Sequence, residues 1–152
     1  MNDLETIQRA LTQLVNGQRA PADLLGVEPR ALNGLYALGV TARDAGRHLM
    51  ADHIFQRCLQ MNPFRSDFWI ALAATRQAIG RPEEAGEMYQ VAGLLTTDVA
   101  PVAYAAACFA QAGQVERARV LVGWVREHCD DEASVAPWLA VVESRGVAGG
   151  VS

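Results

Sequence analysis

Apolar residues recur along this chain at the three-to-four spacing of helices. Leu4, Ile7, Leu11, Leu14 and Val15 predict an amphipathic helix over 3–16, ended by Asn16-Gly17. Six later segments predict helices at about 32–45, 48–61, 66–79, 82–96, 99–112 and 115–128. Asp130 to Arg145, carrying Val135, Trp138, Leu139 and Val142, predicts one more. The connection over 17–31 holds Pro21, Gly26 and Pro29, and its Leu24, Leu25 and Val27 predict that part of it packs. The closing residues 146–152, Gly-Val-Ala-Gly-Gly-Val-Ser, predict a disordered tail. Helix punctuation agrees with these limits. Gly46, Gly80 and Gly113 stand where helices should end in a left-handed residue, and Pro63 stops another. Ser66 and Asp98 are candidate caps, and Pro82-Glu83-Glu84 suits the first turn of a helix in both backbone geometry and dipole.

The six central segments are copies of one unit. Gly46, Gly80 and Gly113 lie 34 and 33 residues apart, and Ala51, Ala85 and Ala118 keep the same intervals. Phe55, Tyr89 and Val122 repeat them again, as do Leu38, Leu72 and Ala105. This is the period of the tetratricopeptide repeat, a pair of antiparallel helices (A and B) that buries its apolar face only against its neighbours. Small residues at Gly39/Ala51, Ala73/Ala85 and Ala106/Ala118 let A approach B closely. The fold expected is therefore all-α: a tetratricopeptide-like solenoid of three helix pairs with an N-terminal amphipathic helix and a C-terminal capping helix. Its parts are 1–31, repeats at 32–65, 66–98 and 99–129, the cap at 130–145, and the tail.

Composition narrows the function. The 152 residues are 51% hydrophobic with net charge -4, enough for one compact domain and poor for nucleic-acid binding. All 13 basic residues are arginine. The acidic N-terminus is unlike a signal peptide, and the longest apolar run, Val99 to Ala110, is too short to span a membrane. Cys58, Cys108 and Cys129 are odd in number and widely spaced, as in reduced cytosolic proteins. A cytoplasmic protein without stable membrane insertion is expected.

Catalytic chemistry is not suggested. His48 and His53 are five apart and face differently, so with Asp52 they fail the i, i+4 rule for zinc on a helix. His128-Cys129-Asp130-Asp131 reads as a helix end, and no nucleophile, phosphate-loop or dinucleotide motif occurs. No enzyme, metal or cofactor is expected. Arg117, Arg119 and Arg126 among Glu116 and Glu127 read as a solvated face with intrahelical pairs.

What remains is the concave surface of the solenoid. In this repeat family, positions 2, 5, 9, 12 and 13 of each A helix point into the groove. Here they are Asn33, Tyr36, Val40, Arg43 and Asp44, then Asp67, Ile70, Ala74, Gln77 and Ala78, then Ala100, Ala103, Ala107, Ala110 and Gln111. The groove is mostly small and apolar, with room for an extended segment or for the chain's own N-terminus. Repeats that grip the carboxylate tail of heat-shock proteins use lysine and asparagine at positions 5 and 9. Tyr36, Val40, Ala103 and Ala107 cannot make that clamp.

Ser66-Asp67-Phe68-Trp69-Ile70-Ala71-Leu72-Ala73-Ala74-Thr75-Arg76-Gln77-Ala78-Ile79-Gly80 resembles the second repeat of type III secretion translocator chaperones, the SycD, LcrH and IpgC class. Leu35-Tyr36-Ala37-Leu38-Gly39 and Ala51-Asp52-His53-Ile54-Phe55 resemble the first, and Tyr104-Ala105-Ala106-Ala107-Cys108 the third more loosely. The resemblance spans roughly 30–130. It implies a bacterial cytoplasmic chaperone without catalytic activity that keeps a pore-forming translocator soluble, holding a Pro-x-Leu-x-x-Pro-like segment in its groove. It implies contacts at Tyr36, Val40, Arg43, Phe68, Ile70, Ala74, Gln77, Ala103 and Ala107, and a homodimer through Leu4, Ile7, Leu11 and Leu14. Val40 and Arg43 depart from the family, which often has a larger apolar residue and a tyrosine there. The alternatives are a chaperone of the secretion needle subunit and a general scaffold module.

Overall fold

The computed structural model describes residues 20–149 together with Glu5, Gln8 and Arg9. Of the expected N-terminal helix, Glu5, Gln8 and Arg9 are helical, whereas Leu4, Ile7, Leu11 and Leu14 lie outside the described set, as do the last residues of the tail. A short helix α1 (Pro21–Leu24) precedes three antiparallel pairs: α2 (Pro29–Asp44) with α3 (His48–Met61), α4 (Ser66–Ala78) with α5 (Pro82–Thr96), and α6 (Val99–Gln111) with α7 (Val115–His128). A 3-10 turn (Glu132–Ser134) then leads into α8 (Ala136–Gly149). From α2 onward successive helices pack on one another, α1 lies against α3, and α8 lies against both α6 and α7. Among the described residues there is no strand, and no helix is long and apolar enough to cross a membrane.

The three A-to-B corners share one backbone solution. Gly46, Gly80 and Gly113 have φ of 77°, 82° and 82°, and the residue after each donates its N–H to a carbonyl five residues back. Such a left-handed residue satisfies the orphaned carbonyls of the A helix, and glycine takes it without a Cβ penalty. Asp98 caps α6, its carboxylate accepting from the Ala100 N–H at 3.3 Å. Ser66 does not cap α4 but is its first residue. Asp67 supplies the missing acceptor instead: it takes the Phe68 N–H at 3.1 Å and holds Arg65 with both oxygens, at 3.0 and 2.6 Å. The first A helix begins at Pro29 because proline at the first turn gives up only an N–H that would be unpaired there. At the other end, residues 146–149 complete α8, where a disordered tail was expected from 146. Gly146 is buried beside Arg119, which extends the helix's packing by a turn.

The core runs through the three pairs and into α8. Ala51, Ala73, Ala85, Ala106 and Ala118 are fully buried where A meets B. Phe55, Phe68, Trp69 and Phe109 are also fully buried, each contributing roughly 2–3 kcal/mol of apolar burial. Gly39 is small for a specific reason: a Cβ there would sit 2.5 Å from Phe55 Cε1. Gly39→Ala is expected to cost about 1–3 kcal/mol through that clash, read as a lower urea midpoint with an unchanged slope. Leu38 breaks its register. Leu72 and Ala105 are buried, but Leu38 is 56% exposed, because the described residues place no helix pair before the first one as they do before the second and third.

One polar cluster lies inside this apolar frame. Arg76 on α4 is 2% exposed and reaches Asp52 on α3 through both Nε and Nη2, the latter at 3.2 Å. Its Nη1 donates to Glu84 on α5 at 2.5 Å, and Gln56 Nε2 donates to Asp52 at 2.7 Å. Three helices from two repeats therefore meet on one guanidinium. Asp52, read from the sequence beside His48 and His53, is a structural partner of Arg76.

Candidate functional site

The A helices α2 and α4 stand side by side, and side-chain bridges run across their shared face. Arg65, just before α4, donates through Nη1 to Asn33 Oδ1 on α2 at 2.7 Å, and Gln77 Nε2 on α4 donates to Gln111 Oε1 on α6 at 3.1 Å. Tyr36, Val40 and Arg43 follow one another at i, i+4, i+7 along α2, all half-buried. Ile70, Ala74 and Gln77 do the same along α4. These six form a partly open strip with an apolar centre and amide or guanidinium groups at its edges.

Three expected contact residues have another position. Phe68 has no exposed surface, because it sits one residue, about 100° of helix, beyond the outward-facing Asp67. It supports the strip from beneath, with Tyr36 5.6 Å and the Arg65 guanidinium 4.3 Å from its ring. Ala103 and Ala107 are 0% and 5% exposed, since α6 is packed by α5, α7 and α8. The strip that solvent reaches is therefore built from the first two A helices.

Burial raises the Tyr36 hydroxyl above its ordinary pKa and Asp67 adds to this, while Arg43 and Arg65 oppose it. Tyr89 is raised by burial too, then by Cys108 and Tyr104, with Arg43 again opposing. The phenols on this side are neutral donors.

The thiols differ sharply in access. Burial pushes Cys58 to about 11 and Cys108 to about 12, from an ordinary value near 9. Both are fully buried, whereas Cys129 is partly exposed. A thiol reagent at neutral pH is expected to label Cys129 first and the other two only at the rate of unfolding. Because these folded pKa values are raised, their contribution to stability is complete below pH 9 and is lost as pH rises through about 11–12. Urea midpoints measured from pH 8 to 11 are expected to fall.

On the opposite side, the structure shows a feature that the sequence reading passed over. A cleft of about 300 Å³ opens between α5 and α7, lined by Gly93, Leu94, Val102, Leu121 and Trp124, with Leu94 66% exposed. The i, i+3 spacing of Leu121 and Trp124 was the available signal. The arginines nearby are exposed, as expected, but two of the three pair beyond their own helix. Arg117 pairs with Glu87 on α5 at 3.8 Å and covers the Phe109 ring, and Arg126 bonds Glu132 and Glu143. Only Arg119 makes the intrahelical pair, with Glu116.

Three helix pairs with one corner geometry define a tetratricopeptide-type repeat protein. No protein-family model and no curated protein matches the chain. Solved structures do, and they are type III secretion translocator chaperones and related complexes. SycD of Yersinia enterocolitica is 21% identical, with 84% of this chain and 98% of SycD covered and a TM-score of 0.72. A type III secretion complex from Aeromonas hydrophila is 23% identical over 95% of this chain and 99% of its own, with a TM-score of 0.76. PcrH, of Pseudomonas aeruginosa, in complex with the chaperone-binding region of PopD is 26% identical over 82% of this chain and 97% of PcrH, with a TM-score of 0.69. PcrH is also solved with the corresponding region of PopB, and SycD both with a peptide of the translocator YopD and as an alternative dimer. The chain resembles translocator chaperones in fold over nearly their whole length.

Proposed function

We propose that this protein is a cytosolic type III secretion chaperone that keeps a hydrophobic translocator soluble by holding an extended apolar segment on its A-helix face. The half-buried strip of Tyr36, Val40, Ile70 and Ala74 carries the reading: it is apolar and partly open. Structural neighbours solved with translocator segments support it. An apolar strip edged by amides suits a segment that would otherwise aggregate, since its side chains are buried while the amides meet its backbone. The segment would be of the Pro-x-Leu-x-x-Pro kind, with Tyr36, Val40, Arg43, Ile70, Ala74 and Gln77 in contact, and Phe68, Ala103 and Ala107 shaping the wall behind. Self-association through Leu4, Ile7, Leu11 and Leu14 belongs to the same proposal, supported by the dimer of SycD.

The test is a titration of a labelled Pro-x-Leu-x-x-Pro peptide, with its proline-to-alanine version as control. Saturable binding is expected, lost in the control and weakened at least tenfold by Tyr36→Ala or Ile70→Asp while helix content is unchanged. Full-strength binding by both variants would remove the peptide from this face. Light scattering on a chain lacking residues 1–16 tests the dimer, whose mass should fall by half.

A further inference from the structure

We infer that Arg43 reads an acidic side chain, aspartate or glutamate, in the extended segment held on the A-helix face; this rests on the binding reading above and adds a selectivity to it. Arg43 stands at the last turn of α2, in line with Val40 and Tyr36, and its side chain is 31% exposed. It has given up much of its hydration, yet its compensation among the described residues is slight. Its Nε contacts Asp44, the next residue, at 3.4 Å, and its Nη1 and Nη2 make no hydrogen bond among the described residues. Asp44 is itself 66% exposed and mostly served by water.

Arg65, at the other end of the same strip, shows what a satisfied arginine looks like here. It is bidentate to Asp67, donates to Asn33 and lies over the Phe68 ring. The strip therefore holds one arginine whose fork is filled and one whose fork is open. The nearest carboxylate on α4, Asp67, is already taken by Arg65. The open Nη pair matches a carboxylate in two parallel hydrogen bonds, a geometry neither water nor a single carbonyl completes. Half-burial strengthens such a pair relative to one in free solvent. Since the chain's net charge is -4, an acidic segment gains nothing from the protein at large and everything from this position.

The experiment measures fluorescence polarisation with Pro-x-Leu-x-x-Pro peptides, amidated at the C-terminus so that a side chain is the one carboxylate source. Glutamate is placed at each x in turn against glutamine. At one position glutamate should bind wild type about tenfold tighter than glutamine, the size of one charge-assisted hydrogen-bonded pair. Arg43→Gln should erase that gain, so that the glutamate and glutamine peptides bind equally, and Arg43→Glu should reverse it, the glutamine peptide then binding the tighter. Equal binding of glutamate and glutamine peptides at every position, by a protein that binds them, overturns the role of Arg43 and leaves the binding face standing. If no peptide binds, the binding reading itself fails and this inference falls with it.

Discussion

Asp52→Ala should be among the most damaging single substitutions in this chain, lowering stability by about 3–5 kcal/mol and Tm by roughly 10 °C. The reason lies on its partner. Arg76 is 2% exposed in the middle of the first two repeats, and Asp52 is the carboxylate that takes two of its donors. Truncation removes that carboxylate without removing the buried cation, which keeps Glu84 on Nη1 but loses the acceptor of its Nε and Nη2. Glu84 offers a comparison: its side chain is 39% exposed, and Glu84→Ala should cost under about 1 kcal/mol. The double change Asp52→Leu with Arg76→Met should recover most of the loss, because an apolar pair of similar volume needs no compensation. Urea unfolding of the three variants separates these terms. A loss for Asp52→Ala no larger than for Glu84→Ala would show that the cluster is solvated in solution.

Trp69→Ala is expected to cost about 3–5 kcal/mol for a different reason. The indole is fully buried and its Nε1 donates to the Pro63 carbonyl at 2.7 Å. It thus fills the space at the start of α4 and pins the loop that carries the chain from the first repeat to the second. Trp69→Phe keeps most of the volume but leaves that carbonyl without its donor, and should cost about 1–2 kcal/mol. The difference between the two variants measures packing against hydrogen bonding at one site. Thermal unfolding followed by circular dichroism reads both, and near-equal losses would mean that the hydrogen bond dominates.

The repeat was legible because its contacts are periodic. Ala51 and Ala85 meet the same kind of neighbour, so the same residue type recurs 34 positions on, and the six central helices lie within a few residues of their expected limits. Arg76 and Asp52 were not legible as a pair. They are 24 residues apart, occur once, and obey no period, so Asp52 was visible only as an acid near two histidines. Arg76 stood out within Arg-Gln-Ala-Ile-Gly, but nothing in the sequence separates its buried role from the half-exposed one of Gln77, its neighbour. Phe68 was misplaced by a single residue of helical phase. Leu38 followed its register into the core in sequence, whereas burial at that register needs a preceding pair, and among the described residues the first repeat has none.

The last helix closes the array, and that closure has a further meaning. The exposed end of a helical repeat is by construction the surface onto which another repeat would stack. An unfinished end therefore invites the front of a second molecule, a head-to-tail contact that never returns on itself and grows into a fibre. Val135, Leu139 and Val142 are buried, and Trp138 meets Tyr104 of α6 edge-on at 5.0 Å, so the stacking surface is already occupied by this chain's own helix. Its outward side presents Glu143, Ser144 and Arg145 to solvent. The helix that completes the core is thus also a terminator, and it keeps a protein made of self-complementary units from polymerising at that end.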